Sequence, residues 1–375
     1  MADKKNKEIQ GATSLEDLRR RLNAVNHDLM DLLNKRAEIV QEVREYKERN
    51  AIEIFIPTRE QEMLDGLVEA NPGPFSDDMI RQLFREIFRA SLHHMESDKK
   101  QSLRVARKPG APTDVIRVGD REVGRDPIII AGPCAVEDEA QMERVASRLA
   151  ELGVTFLRGG AFKPRTSPYS FQGLGAKGLQ LLEAAGKRHG LKTVTEVVDT
   201  RTVDLVARHA DMLQIGSRNQ LNYELLKAVA TTGKPILLKR GFAATLDELI
   251  RSAEYIVAGG NENVVLCERG IRTFARETRH TLDISAIPLL REICRLPVIV
   301  DISHAAGRRD ILPSLARASL AAGANGIMVE VHPNPGLARS DAQQQLDLDQ
   351  FERLLGGLTP DLLNLRPRAA EQSAE

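Results

Sequence analysis

The sequence predicts an α/β protein: a (β/α)8 barrel of the TIM type preceded by an all-α domain of three helices. Apolar residues recur with a helical period over about residues 14–96. From Ile128 to residue 358 the pattern changes to short apolar runs that alternate with helical segments about eight times. Residues 97–127 are polar, and we expect them to form a linker with a small hairpin.

The N-terminal domain is predicted to contain one long helix and two shorter ones. Ser14 is the predicted N-cap, with Asp17 in a near capping box, and the helical pattern continues without Gly or Pro to about Arg49. Such a helix is ~50 Å long at 1.5 Å per residue. The N-terminal domain is too small to enclose a helix of this length. We therefore expect a second chain to cover the helix in an intertwined dimer. The other helices are predicted over about 58–69 and after Ser76.

The apolar runs are the predicted strands of the barrel. The runs are Ile128–Ala131, Thr155–Leu157, Thr193–Thr195, Met212–Ile215, Ile236–Leu238, Val264–Leu266, Val298–Val300 and Ile327–Val329. Helical segments such as Glu139–Leu152, Leu174–His189 and Thr245–Ala258 separate them, and Asp347–Leu358 closes the barrel. Active sites of such barrels lie at the C-terminal ends of the strands, so functional side chains should follow these runs.

Composition argues against several classes of function. The formal net charge is +0 at pH 7, so no overall field attracts nucleic acid or a membrane surface. Aromatic residues make up 4% of the chain and Trp is absent, which leaves little for base stacking. The odd count of 3 cysteines argues against a disulfide framework and for a reducing cytoplasm. We see neither a signal peptide nor an apolar membrane span, and expect a cytoplasmic protein.

Side chains with metal-binding chemistry follow the predicted strands. Cysteine, histidine and two acids at these converging positions form a mixed sulfur, nitrogen and oxygen set for a divalent transition metal. Such a metal can polarise a carbonyl or activate water, and Mn, Fe, Co and Zn all remain open. The predicted ligands are Cys134, His304, Glu330 and Asp341.

Cations also collect at the strand ends and in the loop over residues 158–167. Ion pairing with neighbouring acids, such as Glu196, Glu268 and Asp301, is the alternative interpretation, but the cations outnumber what local pairing needs. Arg165, Thr166 and Ser167 offer donors suited to a phosphate. A mouth lined by cations implies strongly anionic substrates, most simply two phosphorylated or carboxylated molecules. The cations are Arg158, Lys163, Arg165, Arg218, Lys239 and Arg269.

Seven motifs over about residues 128–355 resemble the family of 3-deoxy-D-arabino-heptulosonate 7-phosphate (DAHP) synthase, in the branch related to 3-deoxy-manno-octulosonate 8-phosphate synthase. They are Ile130–Ala131–Gly132–Pro133–Cys134, Leu157–Arg158–Gly159–Gly160, Lys163–Pro164–Arg165–Thr166–Ser167, Leu238–Lys239–Arg240–Gly241, Cys267–Glu268–Arg269–Gly270, Asp301–Ile302–Ser303–His304 and Glu330–Val331–His332–Pro333. The resemblance implies condensation of phosphoenolpyruvate with erythrose 4-phosphate, the first step of the shikimate pathway to aromatic amino acids.

The resemblance also implies roles for the strand-end residues. Cys134, His304, Glu330 and Asp341 would bind the metal. These four residues and Lys163 would be the catalytic residues. Arg158, Lys163, Arg218, Lys239 and Arg269 would hold phosphoenolpyruvate, Glu268 would join the substrate site, and Arg165, Thr166 and Ser167 would bind the sugar phosphate. Pro164 favours erythrose 4-phosphate, since the sister enzyme has Ala-Asn there. The alternative is an octulosonate 8-phosphate synthase with a non-catalytic helical dimerisation arm.

The N-terminal helices resemble the all-helical chorismate mutase family. Family positions fall on Arg19, Arg36, Lys47, Arg59, Glu60 and Ser91, but Ile56 and Met95 replace an expected acid and an expected Gln or Glu. Met cannot donate the hydrogen bond that this position supplies. The domain is therefore expected to be a mutase, a feedback sensor of chorismate or prephenate, or only a dimerisation arm. We expect a homo-oligomer, dimeric through this domain and tetrameric through the barrels.

Overall fold

The computed structural model describes residues 14–50, 52, 57–101, 103–164, 167 and 169–358, with the backbone alone at 48, 57 and 92–101. The chain divides into two compact units, Met1–Ser102 and Leu103–Glu375. The predicted fold class is confirmed, because the second unit contains a closed barrel of parallel strands with helices in the connections. None of the described helices has both the length and the apolar character needed to cross a membrane.

Three helices form the first unit: α1 (Leu15–Arg49), α2 (Pro57–Glu69) and α3 (Asp77–Gln101). Helix α1 begins as predicted, because the Asp17 amide donates to Ser14 Oγ at 3.1 Å and so satisfies one free amide of the first turn. Most apolar side chains of α1 are exposed; Leu22 and Tyr46, for example, are each 60% exposed. Helix α1 therefore presents a long apolar surface to solvent in the single chain.

The second unit begins with a hairpin and continues as alternating strands and helices. The strands are β1 (Ile116–Val118), β2 (Arg121–Val123), β3 (Ile128–Gly132), β4 (Phe156–Arg158), β5 (Lys192–Val197), β6 (Met212–Ile215), β7 (Ile236–Lys239), β8 (Val264–Glu268), β9 (Val298–Asp301) and β10 (Gly326–Glu330). The helices are α4 (Glu139–Glu151), α5 (Ala176–His189), α6 (Val203–His209), α7 (Tyr223–Ala230), α8 (Leu246–Ala258), α9 (Ala286–Ile293), α10 (Ile302–Ala306), α11 (Leu312–Ala321) and α12 (Leu348–Gly356).

Strands β3 to β10 close the barrel in sequence order, with β10 beside β3. Several strands extend past their predicted apolar ends and include a charged residue as their last member. The parallel ladder continues through these residues, as where Lys239 pairs with Cys267 and Glu330 with Gly132. Charged side chains are thus held on regular backbone at the C-terminal mouth of the barrel, which positions them more rigidly than loops do. The charged last residues are Arg158, Lys239, Glu268, Asp301 and Glu330.

The segment 97–127, predicted to be a linker with a small hairpin, contains a hairpin formed by β1 and β2. From Leu103 onward the chain belongs to the barrel unit. The hairpin closes the N-terminal end of the barrel, where Asp120 in its turn pairs with Lys192, the first residue of β5, at 2.8 Å. The segment is polar overall, but alternate hairpin residues point into the barrel and join its interior core. These residues are Ile116, Val118 and Val123.

Candidate active site

The predicted metal ligands meet at the C-terminal mouth of the barrel. One ligand atom from each of Cys134, His304, Glu330 and Asp341 lies within 4.8 Å of all the others. Cys134 follows β3, His304 lies in α10 directly after β9, and Glu330 ends β10. Asp341, in the loop after β10, has a positive φ of 51°, which aspartate tolerates better than most residues. That loop carries the second carboxylate of the cluster back across the mouth to the cysteine.

Asp301 orients His304. Its Oδ1 accepts a hydrogen bond from the His304 amide at 3.0 Å, and its Oδ2 lies 2.7 Å from His304 Nδ1. This contact assigns the ring proton to Nδ1, so Nε2 is the free nitrogen that faces Glu330, 3.4 Å from Oε1. Burial lowers the pKa of His304, which favours the neutral ring. A neutral imidazole held by a carboxylate is the form in which histidine binds metals.

Glu330 is held at both carboxylate oxygens. Oε1 pairs with Arg158, and Oε2 accepts a hydrogen bond from Gln344 Nε2 at 2.6 Å. The ion pair is buried, with the Arg158 side chain 5% and the Glu330 side chain 0% exposed. Burial raises the pKa of Glu330, but His304 and Arg158 outweigh it and lower the pKa to about 2. The carboxylate therefore stays charged near neutral pH.

The Cys134 thiol lies between an acid and a cation. Its Sγ donates to Asp341 Oδ2 at 3.0 Å and lies 3.1 Å from Lys163 Nζ. Burial raises the pKa of the Cys134 thiol to about 12, and the charge of Glu330 adds to the effect. Metal coordination deprotonates a thiol, and one thiolate, one imidazole and two carboxylates suit a divalent transition metal. With His304 and Glu330 already oriented by neighbours, these residues fit such an ion.

A cavity of about 270 Å³ opens beside this cluster. Described cations of the predicted set line it together with Ser167, and Arg279 adds a further one. Arg165 and Thr166 lie outside the described residues. This concentration of positive charge in a concave site favours anionic ligands. The lining cations of the predicted set are Arg158, Lys163, Arg218, Lys239 and Arg269.

Glu268, a predicted residue of the substrate site, ends β8 directly before the cavity-lining Arg269. It is fully buried, its Oε2 pairs with Arg240 at 2.8 Å, and its Oε1 accepts from the Gly270 amide at 2.6 Å. Glu268 is not among the described residues that line the cavity. Both of its oxygens are occupied, because a buried carboxylate needs a cation and donors nearby. Its contacts hold the loop that carries Arg269.

Other residues of the site were not predicted from sequence. From the sequence, Asp301 is a charged strand end, but an acid three residues before a histidine at a helix start also indicates an N-cap that contacts the histidine. Gln344 and Arg279 orient the candidate metal ligands Glu330 and Asp341, with Arg279 Nη1 3.1 Å from Asp341 Oδ1. Phe242 lines the cavity as well. These three residues lie in irregular loops, where no periodic pattern indicates which way a side chain points.

In the helical unit, the structure joins two of the mutase-like positions. Arg36 Nη1 donates to Ser91 Oγ at 2.5 Å, and its guanidinium lies 4.9 Å from the Phe88 ring centroid. Arg59 instead pairs with Glu62 of its own helix at 3.0 Å. Of the remaining positions, Arg19 is exposed, whereas Lys47 and Glu60 are half-buried. Ile56 and the side chain of Met95 lie outside the described part of the chain.

Comparison with known proteins agrees with this architecture. Residues 107–362 match the model of the DAHP synthetase I family, and residues 18–96 match that of chorismate mutase type II. Phospho-2-dehydro-3-deoxyheptonate aldolase of Thermotoga maritima is 52% identical over 242 residues, 64% of this chain and 72% of that protein. A 2-dehydro-3-deoxyphosphooctonate aldolase of Acidithiobacillus ferrooxidans is 33% identical over 60% of this chain and 86% of that protein.

Solved structures give the same assignment. The crystal structure of the Thermotoga maritima aldolase, also called DAHP synthase, has a TM-score of 0.66 and 50% identity, covering 68% of this chain and 75% of that one. A truncated form of the Thermotoga maritima synthase has a TM-score of 0.63 and 46% identity, covering 67% of this chain and 93% of that one. The barrel, its mouth and these matches together show that the chain is an enzyme of the DAHP synthetase I family with an N-terminal chorismate mutase type II domain.

Proposed function

We propose that the barrel condenses phosphoenolpyruvate, D-erythrose 4-phosphate and water to DAHP and phosphate, in a reaction that depends on a divalent metal. The observation that carries this proposal is the four-ligand cluster at the edge of a cavity lined by cations. Two phosphate esters repel each other, and fixed cations offset this repulsion before the reaction begins. The buried free cysteines suit a reducing compartment such as the cytoplasm.

The metal ligands and the cavity cations have separate roles in this reaction. The metal, held by Cys134, His304, Glu330 and Asp341, would supply Lewis-acid polarisation of the sugar aldehyde. Arg218 and Arg269 bind the anionic groups of phosphoenolpyruvate, and Lys163 lies between the cavity and Cys134. C3 of phosphoenolpyruvate attacks the aldehyde carbon, water adds at C2, and the C2–O bond to phosphate breaks as phosphate leaves. The fixed cations stabilise negative charge throughout, because they need no reorganisation during the reaction.

A turnover assay with both candidate sugars tests this function. We expect phosphate release with phosphoenolpyruvate and erythrose 4-phosphate, loss of turnover with a chelator, and recovery when a divalent metal is added. Arabinose 5-phosphate tests the alternative function of octulosonate 8-phosphate synthesis. The 33% identity to a 2-dehydro-3-deoxyphosphooctonate aldolase is the reason to test it. Turnover with arabinose 5-phosphate alone would replace the proposal with this alternative. Full turnover in chelator would contradict the metal dependence.

For the helical unit, we propose binding of chorismate or prephenate that inhibits the barrel. Arg36 is held against Ser91 and keeps a cation inside the unit, whereas Ile56 and Met95 remove groups that catalysis would use. Binding a dianion needs cations, whereas the rearrangement also needs charge placed beside the breaking ether bond. The unit is therefore better equipped to sense these molecules than to convert them.

Deletion of residues 1–102 tests this proposal. The structure sets the cut, because the chain from Leu103 onward packs with the barrel. We expect the shortened enzyme to keep synthase turnover within about threefold and to lose inhibition by prephenate or chorismate, since the cations that bind these effectors are removed. Inhibition assays on both forms measure this. Inhibition that survives the deletion would refute the proposal.

Two other roles for the helical unit have their own tests. A working mutase consumes chorismate faster than the uncatalysed rearrangement, which absorbance can follow. A simple dimerisation arm, which the exposed apolar surface of α1 also favours, changes oligomer mass on deletion without any ligand effect. We propose that a second copy covers this surface and that barrels pair to give a tetramer. Light scattering of the full and shortened chains measures both assembly steps.

A further inference from the structure

Phe242 lies at the centre of a group of cations in the candidate active site. The guanidinium carbons of Arg269 and Arg218 lie 4.9 Å and 5.4 Å from the centroid of its ring, and that of Arg272 lies 5.9 Å away. The His280 ring stacks on the same phenyl ring, with centroids 5.2 Å apart and planes 13° from parallel. We call the two stacked rings, Phe242 and His280, the aromatic platform.

Arg218 and Arg269 differ in their partners from two other cations of the cavity, Arg158 and Lys239. Arg158 and Lys239 pair with the buried acids Glu330 and Asp301. Arg269, which is 3% exposed, donates to the backbone carbonyls of Gly270 and His304. Across the described part of the chain, no carboxylate forms an ion pair with Arg269 or Arg218. Their charge therefore remains available to an anionic ligand.

Arg269 is buried without a paired acid, so its charge needs another source of stabilisation, whereas Arg218 is exposed to solvent. The negative face of an aromatic ring attracts a guanidinium and, unlike a carboxylate, does not compete with an anionic ligand for its N–H donors. The backbone of Phe242 is held in place, because its carbonyl accepts a hydrogen bond from the Arg272 amide at 2.6 Å. His280 is held by a contact of 3.3 Å between its Nδ1 and the His304 carbonyl. These contacts hold the backbone of Phe242 and the ring of His280 without using any guanidinium group of the arginines.

We propose that Phe242, supported by His280, is a positioning residue that holds Arg218 and Arg269 ready to bind the phosphate or carboxylate of a substrate. The inference rests on the proposed function for the identity of that substrate, phosphoenolpyruvate. The aromatic platform acts through the arginines and takes no part in bond making. Its loss should therefore weaken substrate binding and leave the chemical step largely intact.

Replacement of the ring tests the proposal. For Phe242→Leu we expect the KM for phosphoenolpyruvate to rise about tenfold, with kcat changed less than about threefold, since two cations lose their ring contact. Phe242→Tyr keeps an aromatic face and should remain within about threefold of the wild-type KM. Tyr255→Leu is the matched control, because it removes one ring of the stacked Tyr223–Tyr255 pair outside the cavity and should leave KM unchanged.

Further variants separate positioning from folding. Phe242→Met should raise KM as Leu does, so it replaces Leu if that variant is unstable. In an Arg218→Ala background, Phe242→Leu should raise KM by a smaller factor than in the wild type, because one cation that the ring positions is already gone. Equal factors in the two backgrounds would overturn the proposal, as would a Tyr variant no better than Leu and Met.

Direct binding distinguishes this inference from the proposed function. Calorimetric titration with phosphoenolpyruvate alone needs no turnover. Suppose that the wild-type chain fails to condense the two substrates but binds phosphoenolpyruvate about tenfold more tightly than Phe242→Leu does. The proposed reaction is then wrong, and the positioning role of the aromatic platform is supported. If turnover occurs and Phe242→Leu binds phosphoenolpyruvate as tightly as the wild type, the positioning role of the platform is wrong and the proposed reaction is supported. A wild-type chain without turnover or binding overturns both.

Discussion

Replacement of Cys134 by alanine is expected to lower turnover by at least about three orders of magnitude, because under the proposed function it removes one of the ligands of the metal that activates the aldehyde. The sulfur lies 3.0 Å from Asp341 Oδ2 and within 4.8 Å of every other ligand atom of the cluster. The side chain is fully buried, so solvent cannot readily replace the missing donor. Steady-state turnover and metal content per chain should fall together.

Cys294→Ala is the matched control. Cys294 is also a fully buried thiol, but it pairs with Ala106 in a β-bridge, before β9 begins. It is therefore away from the C-terminal ends of the strands. Both substitutions remove one buried sulfur, so a general packing defect should affect them alike. We expect the control to keep its metal and its turnover within about twofold. A Cys134→Ala enzyme that retains both properties would show that Cys134 is not a metal ligand.

Arg158→Met is expected to cost about 3–5 kcal/mol in the free energy of unfolding near neutral pH, because it leaves the buried Glu330 carboxylate without its cation. Activity should fall as well, since Arg158 also lines the cavity. Methionine keeps much of the side-chain length, so the lost charge dominates over lost volume. Denaturant unfolding of the full chain in chelator measures the stability change without a contribution from bound metal.

The pH dependence follows from the pKa of Glu330. Its pKa is lowered from 4.5 to about 2 in the folded state, so its charged form stabilises the wild-type fold above about pH 4.5. That contribution disappears as the pH falls through about 2. Without Arg158 the folded-state pKa of Glu330 rises, so the difference between variant and wild type should shrink with acidification.

Arg201→Met is the surface control for Arg158→Met. The Arg201 side chain is 86% exposed and pairs with Asp199 at 2.6 Å, so its loss should change the free energy of unfolding very little. A stability cost for Arg158→Met no larger than that of this control would contradict the role of the buried pair. The same conclusion would follow if its cost were unchanged down to pH 3.

Several features of the molecule could be predicted because they depend on local periodicity. Helix α1 keeps one apolar side without Gly or Pro, and the structure has it over Leu15–Arg49 as expected. The barrel strands appear as apolar runs because both faces are buried, inside against the core and outside against helices. Cys134 and Glu330 could be proposed as site residues because barrel strands end at one common mouth.

Other features depend on distances between segments far apart in the chain. Glu268 and Asp301 are both acids at strand ends, yet one pairs with Arg240 while the other orients His304. Sequence spacing does not distinguish them. The hairpin residue Val118 belongs to a polar segment, but the open end of the barrel provides the apolar surface that buries it.

The sequence alone therefore determined the two-part architecture, the barrel and the chemical types gathered at its mouth, because hydrophobic period and strand order are written locally. Only the tertiary structure decided which cations pair with buried acids and which, like Arg269, lie over the Phe242 ring with their charge free. The physical reason is that Coulomb and cation–π energies depend on separations of a few ångströms between side chains from different strands and loops. Closure of the barrel sets those separations.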